Sequence, residues 1–95
     1  MNIIWMPEAL MDLECIEEYI AEDSAISATE VVQTIFLYVS KHLETFPRSG
    51  RAGRVAGTLE LIVPRLPYFI PYRITPTQID ILRVYHTSRL LPEGF

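Results

Sequence analysis

Cysteine is almost missing from this sequence: Cys15 stands alone, with only His42 and His86 as nitrogen ligands beside it. One thiol cannot close an internal disulfide, and one thiol with two imidazoles falls short of a zinc-type set. A disulfide scaffold and a metal centre both drop out, and no cofactor is expected. No apolar run approaches the roughly 18 residues that a membrane-spanning helix needs. Glu8 and Asp12 stand where a signal peptide would carry basic residues, so the expectation is a cytoplasmic chain without membrane contact. Proline and glycine are absent from Glu8 to Phe46, whereas all four glycines and five of the seven prolines follow position 48. Helices are therefore expected first and strands afterwards.

What is present sharpens this. Ninety-five residues make one domain, 1–95, which on folding buries only roughly 60–65% of the surface of its unfolded chain. With 49% hydrophobic residues and 11% aromatics, some apolar surface is expected to stay exposed, the mark of a partner-binding face. The net charge of −4 conceals a division. Residues 1–47 carry nine acids against Lys41 alone, a sum of −8, while residues 48–95 carry seven arginines against Glu60, Asp80 and Glu93, a sum of +4. Arginine's planar fork of donors suits phosphate, carboxylate and other bidentate contacts. The acids of the first half read most simply as the solvated faces of helices.

Ala9, Leu10, Leu13, Ile16 and Ile20 recur at three- and four-residue spacing, with Asp12, Glu14, Glu18 and Glu22 mostly opposite. With Pro7 in the first turn, this predicts a helix over about 7–21. Asp23 and Ser24 break the pattern, and Ser27 with Glu30 has the spacing of a capping box that would open a second helix. Its apolar face is Ala28, Val32, Ile35, Phe36, Val39, Leu43 and Phe46, and Pro47 stops it. Beyond it, 58–63, 68–74 and 78–85 are rich in branched and aromatic residues and separated by turn residues, which predicts an antiparallel meander. Residues 2–5 add a strand at one edge. The fold class is α+β, in the order β-α-α-β-β-β, with the helical hairpin on one face of a small antiparallel sheet. Pro71 cannot donate to a ladder, so an edge position or a bulge is expected there.

These residues also carry a resemblance. The runs Gly50 to Pro64, Leu66 to Arg73 and Ile79 to Arg89, with Trp5, Ala9, Asp12, Leu13, Ile16, Tyr19 and Ile20 at the front, closely resemble the RelE/ParE superfamily of bacterial toxins. The resemblance covers essentially the whole chain, and the family's fold agrees with the one that spacing and punctuation predict. Leu59 departs from it, standing where many relatives have an arginine before the glutamate. The resemblance implies the toxin half of a type II toxin-antitoxin module of the plasmid-stabilisation kind. It implies a hetero-oligomer with a cognate antitoxin whose C-terminal segment folds onto the toxin, and contact with operator DNA only through that antitoxin. RelE-like members cleave messenger RNA on the ribosome, whereas ParE-like members act on DNA gyrase. Metal-free RNA cleavage needs a base, an acid and cations around the phosphorane. By alignment this chain has Glu60 and Ile62 where the mRNA-cleaving relatives carry strand lysines, and Phe69 where they carry an arginine. A net charge of −4 also suits ribosomal RNA poorly. The favoured reading is a ParE-like gyrase inhibitor that is not an enzyme. The alternatives are a ribosome-dependent mRNA endonuclease and an inactive relic that still binds antitoxin.

Candidate residues follow. If there is catalysis, Arg83, His86 and Arg89 are its candidates, although His86 reads equally well as a hydrogen-bonded residue at a strand end. Arg51, Arg54, Arg65, Arg73, Arg83 and Arg89 are the candidates for target or antitoxin binding. Arg73 and Arg83 are expected to share a face, as an anion-binding pair or tied to Glu60 and Asp80 across strands. Gathering of His86 with at least two arginines in one concave site would favour the nuclease, and scattered arginines would weigh against it. Trp5, Tyr68 and Tyr72 are expected in the core, Cys15 as buried or half-buried, and Lys41 and His42 as solvated positions on the second helix.

Overall fold

The structure, a computed structural model, describes residues 1–88. In chain order its elements are β1 (Asn2–Trp5), α1 (Pro7–Ala21), α2 (Ala25–Thr45), β2 (Arg51–Ala52), β3 (Leu59–Ile62), β4 (Tyr68–Ile74), β5 (Gln78–Ile81) and β6 (Tyr85–His86). The first helix starts with Pro7 at its first position, as its fixed φ favours. The second starts earlier than the Ser27 capping box predicts. Ser24, extended at φ −157°, is the N-cap, and its hydroxyl accepts from the Ser27 N–H at 3.2 Å. No helix among the described residues is long and apolar enough to cross a membrane.

The sheet runs β1-β5-β4-β3-β2, with β6 beside β4 beyond the end of β5. It is mixed, not antiparallel throughout, because β1 lies parallel to β5. The physical reason is the crossover: α1 and α2 carry the chain from the β1 edge across the sheet to β2 at the other edge. The stretch predicted as one strand over 78–85 is divided. Between the cross-strand pairs Tyr72–Ile81 and Phe69–Tyr85, β4 contributes Ile70 and Pro71 while the opposing chain contributes Leu82, Arg83 and Val84. This is a bulge, with one extra residue on the side opposite proline. It resolves the Pro71 difficulty, since Pro71 lies in an interior strand but needs no donor where the ladder is interrupted. Its carbonyl still accepts from the Leu82 N–H at 2.9 Å.

Strand alternation sorts the side chains onto two faces. Toward the helices go Leu61, Ile70, Tyr72, Ile79 and Ile81, which pack with Ala9, Leu13, Ile35, Val39 and Leu43 in one core. Each buried leucine, isoleucine or valine among them contributes about 1.5–3 kcal/mol relative to exposure. Trp5 packs against this core, and its indole N–H donates to Ser40 Oγ at 3.1 Å, tying β1 to α2. Away from the helices go Glu60, Ile62, Phe69, Pro71, Arg73 and Asp80. That second face positions most of the arginines.

Candidate functional site

Two buried carboxylates organise the helix-free face. Glu60, 2% exposed, accepts from Arg51 Nη2 at 3.3 Å and from the Arg54 backbone N–H at 3.0 Å. The Arg54 guanidinium lies over the Phe69 ring, 5.0 Å from its centroid. Asp80 accepts from Arg73 Nε at 2.8 Å and from Gln78 Nε2 at 2.6 Å. The Arg73 hydrogen bond outweighs the cost of burial and holds the Asp80 carboxyl below the usual carboxylate range. Buried charges thus have partners, and those partners are the arginines that sequence reasoning named.

The loop from Arg48 to Thr58 is pinned from below by a second group. The Tyr72 hydroxyl donates to the Pro47 carbonyl at 2.8 Å and accepts from the Gly50 N–H at 2.9 Å. Burial pushes the Tyr72 phenol up from its ordinary value, more than the Gly50 contact and the neighbouring Ser49 and Arg48 lower it. A side chain at Gly50 would bring its Cβ to 2.7 Å from the Tyr72 oxygen, so only glycine lets the loop approach so closely. Farther on, Val55 and Thr58 line a cleft of about 490 Å³ together with Met6 and Glu8. Arg73 and Arg83 both border this cleft, but alternation does not put them on one face, since Arg73 lies in β4 beside Asp80 and Arg83 lies in the bulge beside Asp12.

Arg83, however, is not tied to Glu60 or Asp80. The bulge delivers it to α1, where Nε and Nη2 bond the two Asp12 carboxylate oxygens at 2.7 and 2.9 Å. Asp12 also accepts the Val84 N–H at 2.9 Å, satisfying a bulge donor that has no ladder partner. The Asp12 bond raises the Arg83 pKa further, ahead of an opposing desolvation. Its guanidinium lies 4.8 Å from the centre of the Tyr85 ring.

On the opposite flank, α1 and the sheet enclose an apolar groove of about 700 Å³, lined by Met11, Ile16, Tyr19, Ile20, Tyr68 and His86 among others. Met11 and Tyr19 are 63% and 76% exposed. Cys15 lies on this groove and is exposed, contrary to its expected burial, because α1 turns Ala9 and Leu13 to the core and leaves position 15 outside. The His86 ring stands edge-on to Tyr68 at 5.5 Å. Its Nδ1 accepts the Ser88 N–H at 3.2 Å and lies 2.7 Å from Ser88 Oγ. The groove brings His86 together with one described arginine, Arg83, which is already engaged by Asp12.

The other candidates are dispersed. Arg65 is exposed in the turn before β4 with φ +66°, and Arg89 lies outside the described residues. Lys41 is exposed as expected, but His42 is half-buried and stacked on Tyr38 at 5.1 Å, with Phe46 tilted against it at 5.4 Å. The i, i+4, i+8 spacing of residues 38, 42 and 46 was the signal for that ladder. Asp12 gave no such signal, since its partner is 71 residues away.

Comparison with known proteins places this architecture. A protein of Sinorhizobium fredii named "Putative toxin Y4kP" is 40% identical over 92 residues, covering 97% of this chain and 94% of its own. Toxin RelE2 of Caulobacter vibrioides is 30% identical over 89 residues, covering 94% and 98%. Among solved structures, a chain of the chromosomal ParDE TA system from P. aeruginosa superposes with a TM-score of 0.84 at 30% identity, covering 93% of this chain and 97% of that one. The family model of the ParE toxin of type II toxin-antitoxin system, parDE, matches residues 3–91, and the chain belongs to that toxin family.

Proposed function

We propose that this toxin acts by binding DNA gyrase and inhibiting it, and that a cognate antitoxin holds it inactive. The observation that carries the choice of target is the pairing of the arginines. Metal-free RNA cleavage needs cations free to meet a phosphorane beside an acid or base. Among the described residues, the groove with His86 contains Arg83 alone, and both of its bonded nitrogens are spent on Asp12. Arg51, Arg54 and Arg73 are held on the other face of the sheet by Glu60 and Asp80. Such an arrangement suits recognition of a protein surface better than nucleolysis.

The antitoxin's seat is the α1 groove. A segment that folds on binding would cover Met11 and Tyr19 with its own apolar side chains, in the helix-in-groove or extended mode that such surfaces support. Operator DNA would be reached through the antitoxin.

Expression without antitoxin should arrest growth. Purified protein should then inhibit gyrase supercoiling and leave messenger RNA intact on translating ribosomes. Cleavage of ribosome-bound message with gyrase unaffected would overturn the choice of target, and growth unaffected at high expression would contradict toxicity altogether.

A further inference from the structure

We infer that the helix-free face of the sheet is a docking surface for an acidic segment of a protein partner, held by Arg51, Arg54 and Arg73, and separate from the apolar groove on α1. The inference rests on the reading above that the target is a protein. Charges on this face are sorted by depth. The side chains of Glu60 and Asp80 are 2% and 5% exposed, whereas those of Arg51, Arg54 and Arg73 are 53%, 52% and 49% exposed. The charge that meets solvent is therefore guanidinium.

Each guanidinium has five N–H donors, and the intramolecular ion pairs engage only one nitrogen of each: Nη2 of Arg51, Nε of Arg54 and Nε of Arg73. Donors remain for a second carboxylate. The first carboxylate and the Phe69 ring restrict these side chains beforehand, so less rotamer entropy is lost when a partner arrives. Ile62 and Ile4, 49% and 38% exposed on the same face, supply apolar contact at its margins. The cleft walled by Val55, Thr58 and Met6, bordered by Arg73 and Arg83, offers a recess for one partner side chain.

A protein segment fits better than a phosphate backbone. A duplex needs a broad basic surface that releases many counterions. Here a carboxylate lies beneath the guanidiniums, Glu8 stands at the cleft rim, and residues 1–47 sum to −8, so the positive field is short-ranged. A few carboxylates spaced along a peptide match such a patch.

The experiment uses full-length protein and a fluorescein-labelled peptide of alternating glutamate and glycine, read by anisotropy at low salt. A glutamine–glycine peptide and a single-stranded DNA oligonucleotide serve as the other probes. The acidic peptide should bind, the glutamine peptide should not, and R54Q/R73Q should weaken binding by about tenfold or more. R54Q alone keeps Glu60 satisfied through the backbone N–H and should weaken binding even where the double variant proves unstable. Unchanged binding in R54Q, no binding by the wild type, or an oligonucleotide bound as tightly as the acidic peptide would overturn the inference. The readout is independent of gyrase, so a failed supercoiling assay with intact arginine-dependent peptide binding would sink the proposed target and spare the surface.

Discussion

Arg83 and Asp12 join the last part of the sheet to the first helix across 71 residues of sequence, through bonds of 2.7 and 2.9 Å. The same carboxylate accepts the Val84 N–H of the bulge, so Asp12 holds a guanidinium and a backbone donor at once. The side chains are 24% and 14% exposed, which leaves the pair only partly screened. Asp12→Ala orphans both a guanidinium and a backbone donor and is expected to cost about 2–4 kcal/mol. Arg83→Ala leaves Asp12 on the Val84 N–H and should cost less. Urea unfolding of both variants checks the order, and an Arg83→Ala loss larger than that of Asp12→Ala would contradict the role given to the bulge.

Tyr72 connects the sheet to the loop that presents Arg51 and Arg54. Removing its hydroxyl leaves the Gly50 N–H and the Pro47 carbonyl without their partner, at about 1–2 kcal/mol. Tyr72→Phe should also raise amide exchange at Gly50 more than in β5, because the loop and not the sheet loses its tie. Exchange raised equally everywhere would show global destabilisation instead.

The helices, the interior strands and most of the core were legible in the sequence because their signals are local. Pro7, the three- and four-residue apolar spacing and Pro47 bound α1 and α2 at nearly the observed residues. The strand periodicity located β3, β4 and the start of β5, and Pro71 pointed to an edge position or a bulge, of which the bulge is the one present. What periodicity could not show was where that bulge fell on the partner chain, since the break at Leu82–Val84 is compensated by Asp12 from a distant helix. The parallel pairing of β1 likewise depends on the crossover path and leaves no trace in four residues. Of the site, the arginines were legible as a composition. Their distribution was legible only in part: a cross-strand tie between Arg73 and Asp80 was one of the two readings and is present, whereas Arg83 pairs with the distant Asp12, and nothing local marks Glu60 and Asp80 as buried under guanidiniums.

The choice between two serines at the start of α2 gives a direct test of capping. Ser24 makes the side-chain cap bond and Ser27 supplies only its N–H. Ser24→Ala should therefore cost about 1 kcal/mol, while Ser27→Ala, at an exposed first-turn position, should be close to neutral. Equal losses measured by thermal unfolding would revive the capping box at Ser27 and Glu30.

Asp80 makes stability depend on acid. Its folded-state pKa lies below the ordinary 3.8, chiefly through the Arg73 hydrogen bond. Between the two values the unfolded chain binds more protons than the folded one, so stability falls as the pH falls. The contribution is fully present above about pH 4–5 and is lost as pH drops through the folded pKa. Arg73 is half exposed, so solvent and salt screen part of it. Asp80→Asn removes the charge but keeps an oxygen able to accept from Arg73. The variant should be less stable than the wild type at pH 7 and approach it as the pH is lowered through the folded-state pKa of Asp80, where the wild-type carboxyl itself takes up a proton. Urea midpoints across that range give the comparison. A gap that stays constant from neutral to acid would mean that the carboxylate charge is not what Arg73 stabilises, and that Asp80 serves the sheet only by its shape and its Gln78 contact.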